Sequence, residues 1–354
     1  MFTPRATFAA MALAVALSSS AHAQKLANPR ADAPTKSLYT FIYQLKSRSN
    51  KRILSGQNFN VRGNARITDD NELLHNLKVK TGHVPAMIGA DYNDSGNYGR
   101  ATAILQQYAE AEGCIVTICG GLRNPGIQQG EMEKLLPGGS LRREWLAELD
   151  MMATQLQYFQ DRGTPVLYRP FHEMNGNWCW YYNTDGEEFK KLWIDQFDYL
   201  TKVKKLNNLI WVYGPNNNTA GDGAYAHYYP GAAYVDIVGA DVYSDTMVIN
   251  DYDVLKGFNK PIFYTEFGPS GPVSKGPLDG KFDYAKLADK IKTDYPEIVG
   301  WLSWHDWVND KEGWIYKSIA KNDTTNVFSH PWVLDAGEVP SARRKKVNTA
   351  TGNK

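Results

Sequence analysis

Cysteine is scarce in this chain of 354 residues: Cys114, Cys119 and Cys179 are the full set. An odd number leaves at least one free thiol, and no two stand at a C-x-x-C spacing, so nothing argues for a zinc site. Cys114 and Cys119 fall on one expected strand and point to opposite faces, which keeps them from bridging. Cys119 can pair with Cys179 only if the ends of their strands are neighbours, and the sequence leaves that open. Charge of one sign is also missing. Lys and Arg number 39 against 38 Asp and Glu, a formal +1. Much of the basic excess sits in the last residues, 341–354, with Arg343, Arg344, Lys345, Lys346 and Lys354, which read as a solvated, disordered tail. The body offers no charge-based case for nucleic acid, and an uncharged substrate suits it. Long apolar runs are absent except at the start, where Arg5 precedes a short apolar stretch and the small-residue site Ala21-His22-Ala23. Residues 1–23 are therefore expected to be a signal peptide cut before Gln24, too short to remain as a membrane span, and the mature protein to be secreted or periplasmic. Residues 24–340 are expected to be one catalytic domain, since no repeat, linker or low-complexity stretch divides them.

Several reaction classes drop out for want of their motifs. H-E-M-N-G from His172 is not H-E-x-x-H, because Gly176 stands where the second His would. There is no G-x-S-x-G elbow, no phosphate loop and no dinucleotide fingerprint.

What is present is an alternation. Eight apolar runs bounded by Gly, Pro or Asn lie at 52–56, 84–90, 114–120, 164–171, 209–214, 234–240, 260–267 and 297–304. Most are continuous rather than alternating, the mark of strands buried on both faces. Helical stripes separate them: Ala101, Leu105 and Tyr108; Trp145, Leu149, Met152, Leu156 and Phe159; Phe189, Trp193, Phe197, Leu200 and Val203. Eight such units predict an α/β fold, a (β/α)8 TIM barrel, whose function gathers at the C-terminal ends of the strands. Asp91, Tyr92, Arg169, His172, Glu173, Tyr243, Glu266 and Trp304 all fall there.

Two glutamates on the fourth and seventh strands predict acetal cleavage. One carboxyl protonates the departing oxygen and the other attacks the anomeric carbon, with retention if they stand about 5–5.5 Å apart. Arg169 and Tyr243 can hold the second carboxylate ionised, and the indoles among the 10 Trp can stack on sugar faces. His172 either orients the site or is a structural histidine; Asn175 and Gly176 most simply make a turn.

R-P-F-H-E-M-N-G-N-W, residues 169–178, resembles the acid/base signature of glycoside hydrolase family 26, whose best-known members are β-mannanases. The resemblance implies Glu173 as acid/base, Glu266 in Y-T-E-F-G as nucleophile, and Tyr243 in G-A-D-V-Y as the tyrosine beside it. It also implies Trp178 near the leaving-group subsite and Trp304 in W-L-S-W as the platform under the sugar being cleaved. Two positions depart from the pattern. C-G-G-L-R-N-P places Gly120 and Gly121 where the family often has Trp-His, so the pocket is expected to be more open, with Arg123 as a substrate contact or a structural residue. Trp178-Cys179-Trp180-Tyr181 replaces a more aromatic run. The expectation is a monomeric retaining hydrolase of β-1,4-mannosidic bonds, with no cofactor or metal and no nucleic-acid or membrane partner. The alternatives are a β-1,3-xylanase or mixed-linkage β-glucanase of the same family, a non-catalytic carbohydrate-binding protein, or a polyanion binder using the basic tail.

Overall fold

The computed structural model describes residues 25–46, 52–61, 66–92, 97–269, 281–311, 313–322 and 327–340, so the expected signal peptide and basic tail lie outside the described residues. Eight parallel strands close into a barrel. They are β1, which runs as Ile53–Leu54 and then Gly56–Phe59; β2 Met87–Asp91; β3 Ile115–Cys119; β4 Val166–Arg169; β5 Leu209–Tyr213; β6 Ile237–Tyr243; β7 Ile262–Gly268; and β8 Ile298–Ser303. β8 pairs with β7 on one side and with both pieces of β1 on the other, which completes the ring. All eight expected runs thus became strands, in the order the (β/α)8 reading required.

Alternation along each strand sorts the side chains into two cores. Tyr168, Trp211, Tyr264 and Trp301 point outward against the helices. Leu167, Ile210, Ile237, Phe263 and Val299 fill the lower lumen. Helix α1, Ala33–Leu45, is the plug of that lumen: its Tyr39, Ile42 and Leu45 join the inner cluster from below. Asp32 caps it by accepting from the Thr35 N–H at 2.8 Å, and Pro34 begins its first turn.

Helices α2 (Asn76–Thr81), α3 (Tyr98–Glu112), α4 (Arg142–Gln160), α5 (Gly186–Asp198), α6 (Tyr252–Gly257) and α7 (Tyr284–Asp294) follow successive strands, except that no α-helix joins β5 to β6. That crossover, 214–236, is rich in Gly, Asn and Tyr and makes only one short 3-10 turn, Gly221–Gly223. The expected stripe of α4 is buried as drawn, but that of α5 fails at its end. A π-turn over Tyr199–Val203 changes the angular advance, and Val203 points outward, 61% exposed.

Candidate active site

The β4 strand delivers Arg169 into the lumen two residues above Leu167. Opposite it, β6 and β7 are offset by a bulge: Ala240 pairs with Tyr264 and Asp241 with Glu266, so Thr265 has no partner across the ladder. The bulge turns both Thr265 and Glu266 toward Asp241 and Arg169. Arg169 then holds three acceptors. One nitrogen donates to Asp241 Oδ2 at 2.6 Å, and the other donates to Glu266 Oε1 and to Cys119 Sγ, the latter at 3.1 Å. Thr265 Oγ1 donates to Asp241 Oδ1 at 2.7 Å, and Tyr243 Oη donates to Glu266 Oε2 at 2.5 Å. Every oxygen of these two buried carboxyls has a donor, as burial of such groups requires, and burial still pushes the Asp241 carboxyl well above the usual carboxylate range.

Glu173 sits just past β4 with a left-handed backbone, φ 47°. Its N–H donates to Gly214 O at 2.9 Å and its carbonyl accepts from Gly176 N at 2.8 Å, which pin a conformation that costs about 1–3 kcal/mol. Its side chain meets two neutral donors, Asn216 Nδ2 on Oε1 and Trp178 Nε1 on Oε2, both at 2.7 Å. Gly176 makes the second contact feasible, because a Cβ there would fall 2.2 Å from the Trp178 ring. The spacing of E-M-N-G-N-W is therefore steric: the glycine vacates the ground over which the indole folds back.

The carboxyls of Glu173, Asp241 and Glu266 each place an oxygen within 4.8 Å of the others. Burial, and then the charge of Glu266, push the Glu173 carboxyl up to about 7. Arg169 remains charged, and burial pushes Tyr243 up so that it stays a donor. His172, pulled down to about 4 by burial, is neutral; Tyr181 Oη donates to its carbonyl at 2.7 Å and lies 3.2 Å from its Nδ1. Three convergent carboxyls have the donor types of a cation site, but Asp241 and Glu266 are already paired with the Arg169 guanidinium.

Trp304 follows β8, only 9% exposed, and its ring lies 5.2 Å from that of His305. Beyond it opens a cleft of about 480 Å3 lined also by His305, Trp307, Val308 and Asn309. Trp178, on the Glu173 carboxyl, is 58% exposed. Arg123 is tied to helix α4, with Nε 3.4 Å from Glu148 Oε2 and a guanidinium nitrogen 3.2 Å from Met151 Sδ. Tyr92 is buried, its hydroxyl 2.6 Å from Thr102 Oγ1. Cys119 and Cys179 do not pair. All three cysteines are free and buried, and the Cys179 thiol is turned to His172 O at 3.6 Å while Cys119 faces Arg169.

Four residues of this cluster escaped the sequence reading as site residues. Asp241 stands two places before Tyr243 on β6, so the period of a strand already put both on one face. Thr265 depends on the bulge and Asn216 on the β5 loop, for which the sequence carries no signal. Asn175, read as a turn residue, is a buried clamp: its Nδ2 donates to the carbonyls of Asn216, Asn218 and Gly223 at 2.9, 3.1 and 3.0 Å.

A sequence model described as Glycosyl hydrolase family 26 matches residues 27–338. A mannan endo-1,4-beta-mannosidase of Bacillus subtilis strain 168 is 33% identical over 348 residues, covering 90% of this chain and 90% of its own length. The mannan endo-1,4-beta-mannosidase A and B of Caldalkalibacillus mannanilyticus is also 33% identical, over 92% of this chain, and the chain spans 65% of its length. Among solved structures, a Bacillus subtilis mannanase superposes with a TM-score of 0.74 at 30% identity, over 90% of this chain and 97% of that one.

Proposed function

This chain belongs to glycosyl hydrolase family 26, and from that premise we propose that it is an exported, retaining hydrolase of β-1,4-mannosidic bonds in mannan or glucomannan. The observation that carries the mechanism is the pair of carboxyls within 4.8 Å, one charge-stabilised and the other protonated near neutral pH. Glu266, held by Arg169 and Tyr243, attacks the anomeric carbon. As the bond to the leaving oxygen breaks, its electron pair stays on that oxygen, which takes the proton from Glu173. In the second step Glu173 accepts a proton from water, the water oxygen bonds to the anomeric carbon, and the Glu266 carboxylate leaves. Proton transfer of this kind contributes about 10²–10⁴ in rate. The relatives named for mannan hydrolysis support the substrate class, and the amino-terminal segment supports export. We assign Trp304 to the sugar under attack and Trp178 to the leaving-group side. Arg123, engaged with Glu148, contributes to shaping helix α4 rather than to chemistry.

Incubation with mannan, glucomannan, β-1,3-xylan and lichenan, with the anomer released followed by NMR, tests the assignment. Release of the β-anomer from mannan is expected. Initial release of the α-anomer, or turnover confined to xylan or lichenan, would refute it.

A further inference from the structure

Glu173 faces two demands. Asn216 Nδ2 donates to Oε1 and Trp178 Nε1 to Oε2. Two donors favour the carboxylate, whereas acid catalysis needs a proton on one oxygen. The charged and titratable groups around it are Glu266 from β7, Asp241 from β6, Arg169 from β4, the neutral His172 beside it, Tyr243, and the buried Cys179 thiol, which burial keeps protonated. Arg169, Asp241, Glu266 and Tyr243 are locked to one another across the lumen.

The two neutral donors are held very differently. The Asn216 N–H donates to Asn175 Oδ1 at 2.8 Å and its carbonyl accepts from Asn175 Nδ2 at 2.9 Å. Asn175 is buried, and its grip on Asn218 and Gly223 fixes the whole β5 loop. The Trp178 indole, by contrast, is exposed and rests on the bare Cα of Gly176.

We propose that these donors divide the carboxyl between them. Asn216 is a positioning residue that fixes Oε1, and the Trp178 N–H is a releasable restraint on Oε2, the oxygen that carries the catalytic proton. This rests on the reading of Glu173 as acid/base. A sugar entering the leaving-group side turns the indole off Oε2. The carboxyl then loses one of the donors that stabilise its charge and binds its proton more tightly. The Oε2–H bond faces the glycosidic oxygen, which takes the proton and keeps the electron pair of the breaking C–O bond, leaving Glu173 as carboxylate. Occupation of the leaving-group side thereby arms the acid.

Full pH profiles of kcat/KM and kcat on mannopentaose test this, each normalised to its own maximum. The kcat/KM profile reports the free enzyme and the kcat profile the complex. In the wild type the basic limb of kcat is expected above that of kcat/KM. In Trp178→Phe, which keeps a ring and removes the N–H, the basic limb of kcat/KM is expected to rise by about half a unit or more and close the gap. Gly176→Ala, which displaces the indole without deleting it, is expected to do the same. Asn216→Ala is expected to lower kcat/KM on mannopentaose about tenfold or more while sparing kcat/KM on an aryl β-mannobioside with a dinitrophenyl leaving group, whose departure needs little protonation. An unmoved basic limb in both the Trp178 and Gly176 variants, or equal losses on both substrates in Asn216→Ala, would overturn the proposal. Glu173→Ala separates the levels. If it fails to discriminate between the two leaving groups, the acid/base reading itself falls. If it discriminates while the limb stays put, only the division of labour at the carboxyl falls.

Discussion

Arg169 and Glu266 form an ion pair nearly sealed from water, their side chains 3% and 4% exposed, with one guanidinium nitrogen on Oε1 of the carboxylate. The pair joins β4 to β7 through the lumen, and Asp241 on β6 shares the same guanidinium. Two charges buried this deeply hold only because each has its partner.

Arg169→Met leaves two carboxylates unpaired in the barrel. The expected result is a loss of roughly 3 kcal/mol or more in unfolding free energy at neutral pH, together with near-complete loss of turnover. Urea denaturation and a mannan assay on the same preparation check both, and a variant as stable as the wild type would contradict the account.

Glu173 gives a stability effect of opposite sign to that of a salt-bridged acid. Burial and Glu266 raise it from 4.5 to about 7. Between those values the folded protein keeps a proton that the unfolded chain has released, so the group's contribution is complete below the unfolded value and is lost as pH rises through about 7. Activity that depends on the acid form should fall over the same window. Glu173→Gln, which cannot ionise, should be more stable than the wild type by about 3 kcal/mol near pH 8 and nearly equal to it near pH 4, while losing most activity on oligosaccharides. Unfolding curves at the two pH values decide it.

Asn175 is the clamp on the β5 loop. Removing its amide in Asn175→Ala leaves the carbonyls of Asn216, Asn218 and Gly223 short of a donor. A loss of about 2–3 kcal/mol in stability is expected. So is a fall in kcat/KM on oligosaccharides larger than that on activated aryl glycosides, because Asn216 would no longer hold Glu173.

The thiols give a simple check. Cys114, Cys119 and Cys179 are free and buried, and burial raises the pKa of Cys119 and Cys179. A thiol reagent should find almost none in the native protein and all three after denaturation without reductant. One reactive thiol after denaturation would mean that two of them pair.

The barrel was legible because each strand is a continuous apolar run and each connecting helix a stripe, as with V-L-Y-R and the Trp145 to Phe159 face. Glu173, Glu266 and Arg169 stood out because charge at the end of a buried run is costly unless it is paired, and Tyr243 because its hydroxyl ends the neighbouring run. Other features were not. The β7 bulge that brings Thr265 to Asp241 is a property of two strands in register, and neither strand alone displays it. Asn216 reaches Glu173 only because Asn175 draws one loop onto another. The plug formed by α1 has an apolar face like any other helix, and which cavity it fills depends on the closed ring above it.

The central claim is that Glu266 becomes covalently bonded to the sugar. Incubation with a 2-deoxy-2-fluoro-β-mannosyl fluoride, whose glycosyl-enzyme breaks down slowly, followed by peptide mass spectrometry, tests it most directly. The account predicts one label, on the peptide carrying Y-T-E-F-G at Glu266, and none in Glu266→Gln. A label on Glu173 or Asp241, or full turnover by Glu266→Gln, would contradict it.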